Sequence, residues 1–441
     1  MKLTDLKKQS LVLVFIFQLI NSGISQTDDL ENSLFELPDV SFKKIGTANA
    51  YGSSYELKIK QPLDHGDPEK GFFHQKVFLT HTGYDRPTVM VTEGYSRNNN
   101  RVYELTEFIN ANQIGVEHRF FGESLPDSLN YDYLNLEQAT ADLHHIRELF
   151  RIIYSGKWVS TGISKGGATT IFYRYYYPED VDVSVPYVAP INNAFEDQRL
   201  YDFLDTIGSD GCRDKIRSFQ VQLLENREKV LPLLKFYSLG ANADYTYLTI
   251  EEAFEYAVLE YPFSFWQYGH SCDEIPNGST SIEDLVEYLN AVSNITFFSD
   301  GLIDNYGAHY YQAATEMGYY GYETKDFEDL LIALPTDINP HATFMPNKMT
   351  AAFDGKVLKE VNEWLDKENN KFIYINGGID TWSATAVPQT DKDNSKWFFM
   401  AGKHHGNARI TEMTKSEKEL LISTLEKWLS VKIETEIPVN K

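Results

Sequence analysis

Residues 157–167 read KWVSTGISKGG, and this stretch decides the fold. An apolar, β-branched run passes into Gly162-Ile163-Ser164-Lys165-Gly166 and then into ATTIFYRYYY, a helical stretch that Pro178 terminates. A serine flanked by glycines between a strand and a helix is the pattern of a nucleophile elbow, a turn so tight that larger residues at the flanking positions collide. Such a turn lifts the serine hydroxyl above the edge of a sheet. The spacing to either side supports an α/β reading. Upstream, YELKIK (55–60) and KVFLTH (76–81) form a hairpin around the turn-rich DHGDP (64–68), and TVMVT (88–92) and QIGVEH (113–118) are further strands. Leu136, Ala139, Leu143, Ile146, Leu149 and Ile153 recur at helical spacing. Downstream come strands at VSVPYV (183–188), KFIYIN (371–376) and KWFFM (396–400) and a closing helix over 415–429. Strands alternating with helices predict a mostly parallel sheet covered on both faces.

Residues 192–347 break that rhythm. They are helical in pattern (FQVQLLENREKVLPLL, IEEAFEYAVLEY, SIEDLVEYLNAV), acidic and rich in tyrosine. The expected organisation is a core from 26 to 191, a helical cap inserted over 192–347, and the rest of the core from 348 to 441. Residues 1–25 read as a secretory signal peptide: Lys2, Lys7 and Lys8, the apolar LVLVFIFQLI (11–20), then small residues Gly23 and Ser25. That run is short for a membrane span, so the expected location is secreted or periplasmic, with no stable span after cleavage. Export would place Cys212 and Cys272, the two cysteines of the chain, in an oxidising compartment and favour a disulfide between them. The 40 basic residues stand against 64 acidic ones, a net charge of −24, which argues against a nucleic-acid partner. Two cysteines exclude a multi-cysteine metal centre, HExxH is absent, and no metal or cofactor is expected.

A serine at neutral pH needs a base, and the base needs an orienting acid. On a sheet of this kind the acid and then the histidine follow the serine in the chain. Asp380 lies in NGGIDTW (376–382), just past the strand KFIYIN; the pair His404-His405 lies in GKHHG (402–406), just past KWFFM. Ser164, Asp380 and His404 are the expected catalytic set, with His405 the alternative base. Backbone N–H groups of Lys165 and Tyr95 are the expected oxyanion donors. Gly94 would allow close approach of a substrate, and Glu93 beside it would hold a peptide's α-amine or else pair with Arg97 or Arg119.

These motifs also carry a resemblance. QPLDHGDPEKGFFHQKVFLTH (61–81), VTEGYSRNNNR (91–101), NQIGVEHRFFGESLP (112–126), STGISKGG (160–167), YYYPEDVDVSVPYVAPINNAFEDQRLYDFL (175–204), YYQAATEMGYYGY (310–322), GGIDTWSATAV (377–387) and GKHHGNARI (402–410) stand in order along nearly the whole mature chain. They resemble the secreted bacterial tripeptidyl aminopeptidases, serine peptidases related to lysosomal Pro-X carboxypeptidase and dipeptidyl-peptidase II. The resemblance implies an α/β-hydrolase core with a helical cap, and an exopeptidase that removes dipeptides or tripeptides from free N-termini, often after proline. It aligns Ser164 with the nucleophile, Asp380 with the acid and His404 with the base, while the Asn-His-Gly of the aminopeptidases would align His405 instead. The tyrosines of 306–322 with Phe263, Phe265 and Trp266 would either wall a pocket for a proline ring or pack the cap on the sheet. An esterase or acyl transferase on the same fold, and a surface-binding protein without catalysis, are the competing readings.

Overall fold

The computed structural model describes residues 25–46, 52–335, 343–346 and 349–433; of the expected signal peptide, residues 1–25, all but Ser25 lies outside them. Nine strands form one sheet in the order β1-β2-β3-β5-β4-β6-β7-β8-β9. They are β1 (Val40–Ile45), β2 (Ser53–Pro62), β3 (Phe72–His81), β4 (Thr88–Thr92), β5 (Asn112–Val116), β6 (Trp158–Ile163), β7 (Val183–Tyr187), β8 (Phe372–Gly377) and β9 (Ser395–Met400). Strands β1, β2 and β3 pair antiparallel, as do β3 and β5; every pair from β5 through β4, β6, β7 and β8 to β9 is parallel. The carboxyl ends of the parallel strands therefore share one edge, where loops from several strands converge.

Each sequence-predicted strand is present. The hairpin is longer than expected, running from Ser53↔His81 to Pro62↔Phe72. Pro186 sits inside a central strand and accounts for a gap: Ser184 N donates to Lys371 O and Val188 N donates to Ile375 O, but between them Pro186 has no N–H for β8. Two elements went unread in the polar stretch after Ser25, α1 (Ser25–Phe35) and β1. Their apolar signal is thin: Leu30, Leu34 and Leu37 are buried in one cluster with Tyr55, Leu57 and Ile59, Val40 and Phe42 add half-buried contacts, and β1 is an edge strand with its lysines outward.

Helices α2 (Leu136–Phe150), α3 (Lys165–Tyr176), α10 (Lys356–Lys367) and α11 (Lys415–Leu429) cover the sheet. Asn135 caps α2 by accepting from Gln138 N, and Thr414 with Glu417 forms a reciprocal capping box on α11. Leu421, Leu425 and Leu429 of α11 pack on Val183, Ile373 and Phe398.

Between β7 and α10 lie the helices of the expected cap: α4 (Gln198–Thr206), α5 (Asp210–Glu225), α6 (Arg227–Gly240), α7 (Ile250–Tyr268), α8 (Ile282–Val292) and α9 (Asp300–Gln312). They have a hydrophobic core of their own. Helix α7 is buried almost all round from Ala253 to Trp266, as a helix enclosed by its neighbours must be. Glu255 on α7 is fully buried yet satisfied, taking Arg227 Nη2 at 2.6 Å and the N–H groups of Ile332, Ala333 and Leu334. Cys212 and Cys272 are joined, with Cα atoms 5.4 Å apart, so the disulfide ties the start of α5 to the loop after α7. Among the described residues, no helix is long and apolar enough to cross a membrane.

Candidate active site

Ser164 sits between β6 and α3 with φ 59° and ψ −126°, a backbone conformation costly for a non-glycine residue. The turn is held from below: Ser164 N donates to Tyr187 O (3.0 Å) and Ala168 N donates to Ser164 O (2.9 Å). The flanking glycines are demanded by space. A Cβ on Gly162 would strike the carbonyls of Gly166 and Thr92, and one on Gly167 would lie 2.7 Å from Tyr187 O. The serine thus caps the N-terminus of α3, where helix N–H groups have no intrahelical acceptor.

The loops after β8 and β9 meet beside it. Gly378 N donates to Met400 O (2.8 Å) and Ile379 N to Lys403 O (3.0 Å), which fixes Asp380 against the histidine loop. Asp380 is fully buried; its Oδ1 accepts from Trp382 N (3.1 Å) and its Oδ2 lies 2.9 Å from His405 Nδ1. The hydrogen-bond partner of Asp380 is therefore His405, the alternative the sequence left open, and not His404, the first choice. His404 is turned away. Its N–H donates to Asn407 Oδ1 (2.7 Å), its Nδ1 accepts from Gly406 N (3.2 Å), and its ring packs on Gly269. Gly269 ends α7 in the left-handed region, φ 72°, and any side chain there would meet the His404 ring at 2.5 Å. Burial holds the His404 imidazole below its ordinary pKa. His405 N donates to Gln267 O (3.1 Å) and Thr381 Oγ1 to Phe263 O (2.9 Å), so the cap clamps both loops.

Ser164 and His405 open on one cavity of about 670 Å³ between sheet edge and cap. Its walls include Tyr95, Trp382 and, from the cap, Tyr268, Tyr306, Tyr310, Tyr319 and Tyr320. The expected aromatic wall is thus partly as read. Tyr306, Tyr310, Tyr319 and Tyr320 face the cavity, whereas Phe263 stacks behind Tyr320 (3.9 Å between ring centres) and Trp266 borders a separate hollow in the cap.

The loop after β4 approaches α3 closely. A Cβ on Gly94 would lie 2.6 Å from Lys165 Cβ and 2.8 Å from Gly166 N, so Gly94 lets this loop rest on the first turn of α3 and brings the backbone of Tyr95 beside that of Lys165. The Lys165 side chain is buried. Its Nζ donates to Gly94 O and to Gln312 Oε1, both at 2.8 Å, and joins the loop to cap helix α9. Burial pulls its ammonium down to about 7, against the opposing charge of Glu316.

Glu93 does not face the cavity. It takes Arg97 Nη1, Arg101 Nη2 (3.0 Å) and Tyr103 OH (3.1 Å) and is nearly buried. Its carboxylate is spent on two guanidinium groups, so of the two expected roles the structure forms the ion pair with Arg97. The cavity's carboxylate is Glu260 on α7, which the sequence reading passed over. The signal was there: AVLEYPFSFW (257–266) is an apolar run with a single charge in it. Among the described residues, no three or more of His, Cys, Asp and Glu group as metal donors.

An elbow serine on this strand order, followed in the chain by an aspartate and a histidine that are hydrogen-bonded to each other, defines an α/β-hydrolase. Acyl transfer is the chemistry such a set of groups can perform. The PS-10 peptidase S37 family matches residues 25–434; the chain belongs to this family of serine peptidases. It is 26% identical over 411 residues, covering 91% of this chain and 85% of the relative, to a prolyl tri/tetrapeptidyl aminopeptidase of Streptomyces mobaraensis. A lysosomal Pro-X carboxypeptidase of Mus musculus is 23% identical over 445 residues, covering 85% and 89%. Among solved structures, a proline iminopeptidase of Mycobacterium smegmatis aligns over 84% of this chain and 98% of its own at 12% identity and a TM-score of 0.39.

Proposed function

We propose that the protein is an exported serine exopeptidase that releases short peptides, tripeptides foremost, from free N-termini. Ser164 Oγ attacks the scissile carbonyl. His405 takes the serine proton through Nε2 and hands it to the leaving amine, and Asp380 holds Nδ1–H so that the tautomer is correct and the imidazolium is stabilised. Water then hydrolyses the acyl-enzyme by the same route. The Lys165 and Tyr95 N–H groups are the oxyanion donors; the Lys165 side chain is a structural tie rather than a second base. The observation that carries this reading is the 2.9 Å contact between His405 Nδ1 and buried Asp380, with Ser164 on the same cavity.

Exopeptidase action is supported by the cap, residues 192–347 in this reading, which roofs the serine. A cavity of about 670 Å³ suits a few residues rather than a threaded chain. The tyrosine and tryptophan walls suit a pyrrolidine ring, in keeping with the prolyl specificity in the name of the Streptomyces relative. The disulfide and the leader-like first 25 residues support export. A comparison of tripeptide anilides with simple chromogenic esters tests the reading. Turnover of free-amine tripeptide anilides is expected; ester hydrolysis without any anilide cleavage would make the protein an esterase.

A further inference from the structure

Glu260 and Glu117 are, among the described residues, the deeply buried carboxylates without a basic partner; Glu117 is filled by the backbone N–H groups of Arg97, Glu123 and Ser124 and by the Ser124 hydroxyl, whereas Glu260 lines the cavity. Glu260 is 6% exposed, and its oxygens accept from Ser264 Oγ (2.9 Å), Tyr320 OH (2.8 Å) and Tyr322 OH (2.9 Å). Each of these donors is neutral. Among the described residues no lysine, arginine or histidine pairs with it, whereas Glu93, Asp142, Glu255 and Asp380 each have a basic partner. A buried carboxylate without a cation is expensive, and burial pushes this one up to about 7. The three hydroxyls fix its orientation without neutralising it. A carboxylate offers about four acceptor positions, so three hydroxyls leave room for one further donor.

Glu260 also lines the cavity that holds Ser164 and His405. The lining includes neither lysine nor arginine, and no second aspartate or glutamate. The surrounding rings of Tyr310, Tyr319, Tyr320 and Trp382 present the low-dielectric, π-rich walls in which an ammonium is held well.

We infer that Glu260 is the amine-anchoring residue of the site: the ammonium of a substrate's first residue binds its carboxylate and so sets how far the scissile bond lies from the N-terminus. This deepens the exopeptidase reading and rests on it. Tyr320 and Tyr322 are positioning residues for the carboxylate. The cap would then measure the substrate while the sheet edge cuts it, and an acetylated N-terminus would meet a carboxyl with no charge to pair.

The test is the ratio of kcat/KM for a free-amine tripeptide anilide to that for its N-acetyl counterpart, in the wild type and in Glu260→Gln, which keeps the size and one acceptor oxygen. Truncating one member of a buried charge pair typically costs about a hundredfold. The ratio is therefore expected to collapse by about that factor, mainly through KM on the free-amine substrate, and the Gln variant should be indifferent to replacing the α-amine by a hydroxyl. Fluorophosphonate labelling of Ser164 and the melting curve report whether the variant is folded; Glu260→Asp serves if it is not, and is expected to retain part of the ratio. A labelled, folded variant with the wild-type ratio overturns the assignment and leaves the exopeptidase reading standing. A wild type that cleaves free and acetylated substrates equally overturns both.

Discussion

Two glutamates, one in the loop after β4 and one on α7 lining the cavity beside Ser164, have opposite surroundings. Glu93 follows β4 at the sheet edge, two residues before Tyr95, and is saturated by Arg97, Arg101 and Tyr103. Glu260 comes from a cap helix nearly a hundred residues past the elbow, and receives only hydroxyls. The first is built into the fold: the Arg97 guanidinium lies where a side chain on Gly115 would be, and Arg97 N also donates to Glu117 Oε2 (2.7 Å). The second is held ready but unpaired. Proximity to the nucleophile along a loop is therefore a poor guide to substrate contact. What matters is whether the charge already has its partner.

The same division holds for the histidines, and here the largest effect is expected. His405→Ala should lower kcat by about four to six powers of ten, as removal of a triad member does, while His404→Ala, which loses only its packing on Gly269, should stay within about tenfold. Steady-state kinetics on both variants checks this; the reverse order would return the base to His404. Next in size is Glu93→Gln. It leaves Arg97 buried with its charge uncompensated, and breaking such a pair costs about 3–5 kcal/mol. Denaturant unfolding should show the loss, with the free-amine to acetyl ratio unchanged in the protein that remains folded. A selective loss of free-amine cleavage without loss of stability would move the amine site back to Glu93.

The smallest effect is a pH trend in stability. Glu260 and Glu316 both rise from an ordinary 4.5 to about 7, chiefly through burial. A raised folded-state pKa favours the protonated form. The unfolded chain releases these protons from about 4.5 upward and the folded chain only near 7, so their contribution is full below 4.5 and is lost as pH climbs to about 7. Melting temperatures across that window should fall less in Glu260→Gln than in the wild type, because one of the two titrations is removed; parallel curves would mean that Glu260 is ionised throughout.

Much of this was legible in the sequence. Strands β2 to β9 announce themselves through β-branched runs, and the elbow glycines announce a turn that the carbonyls of Thr92, Gly166 and Tyr187 crowd. Ser164 and Asp380 follow from their places after strands. The choice between His404 and His405 does not, because neighbouring residues on a loop share the same position after β9. In the structure Asp380 meets His405, while the Asn407 side chain bonds His404 N and Gly269 lies against the His404 ring. The contact with Gly269 is not a local signal, since it comes from α7, far away in the chain. Strand β1, with Lys43 and Lys44 exposed at the sheet edge, and α1, with few buried leucines, carry too little apolar periodicity to read. Glu260 could have been suspected as the lone charge in an apolar helix, but its place over Ser164 depends on how the cap folds back.

The central claim is that the cavity beneath α7 reads a free N-terminus and that cleavage falls a short distance from it. Mass spectrometry of the products from a peptide library, offered with free and with acetylated N-termini, tests it most directly. The account predicts di- to tetrapeptides, tripeptides foremost, from the free set and little from the acetylated set. Equal digestion of both sets, or cleavage at internal bonds, would contradict it.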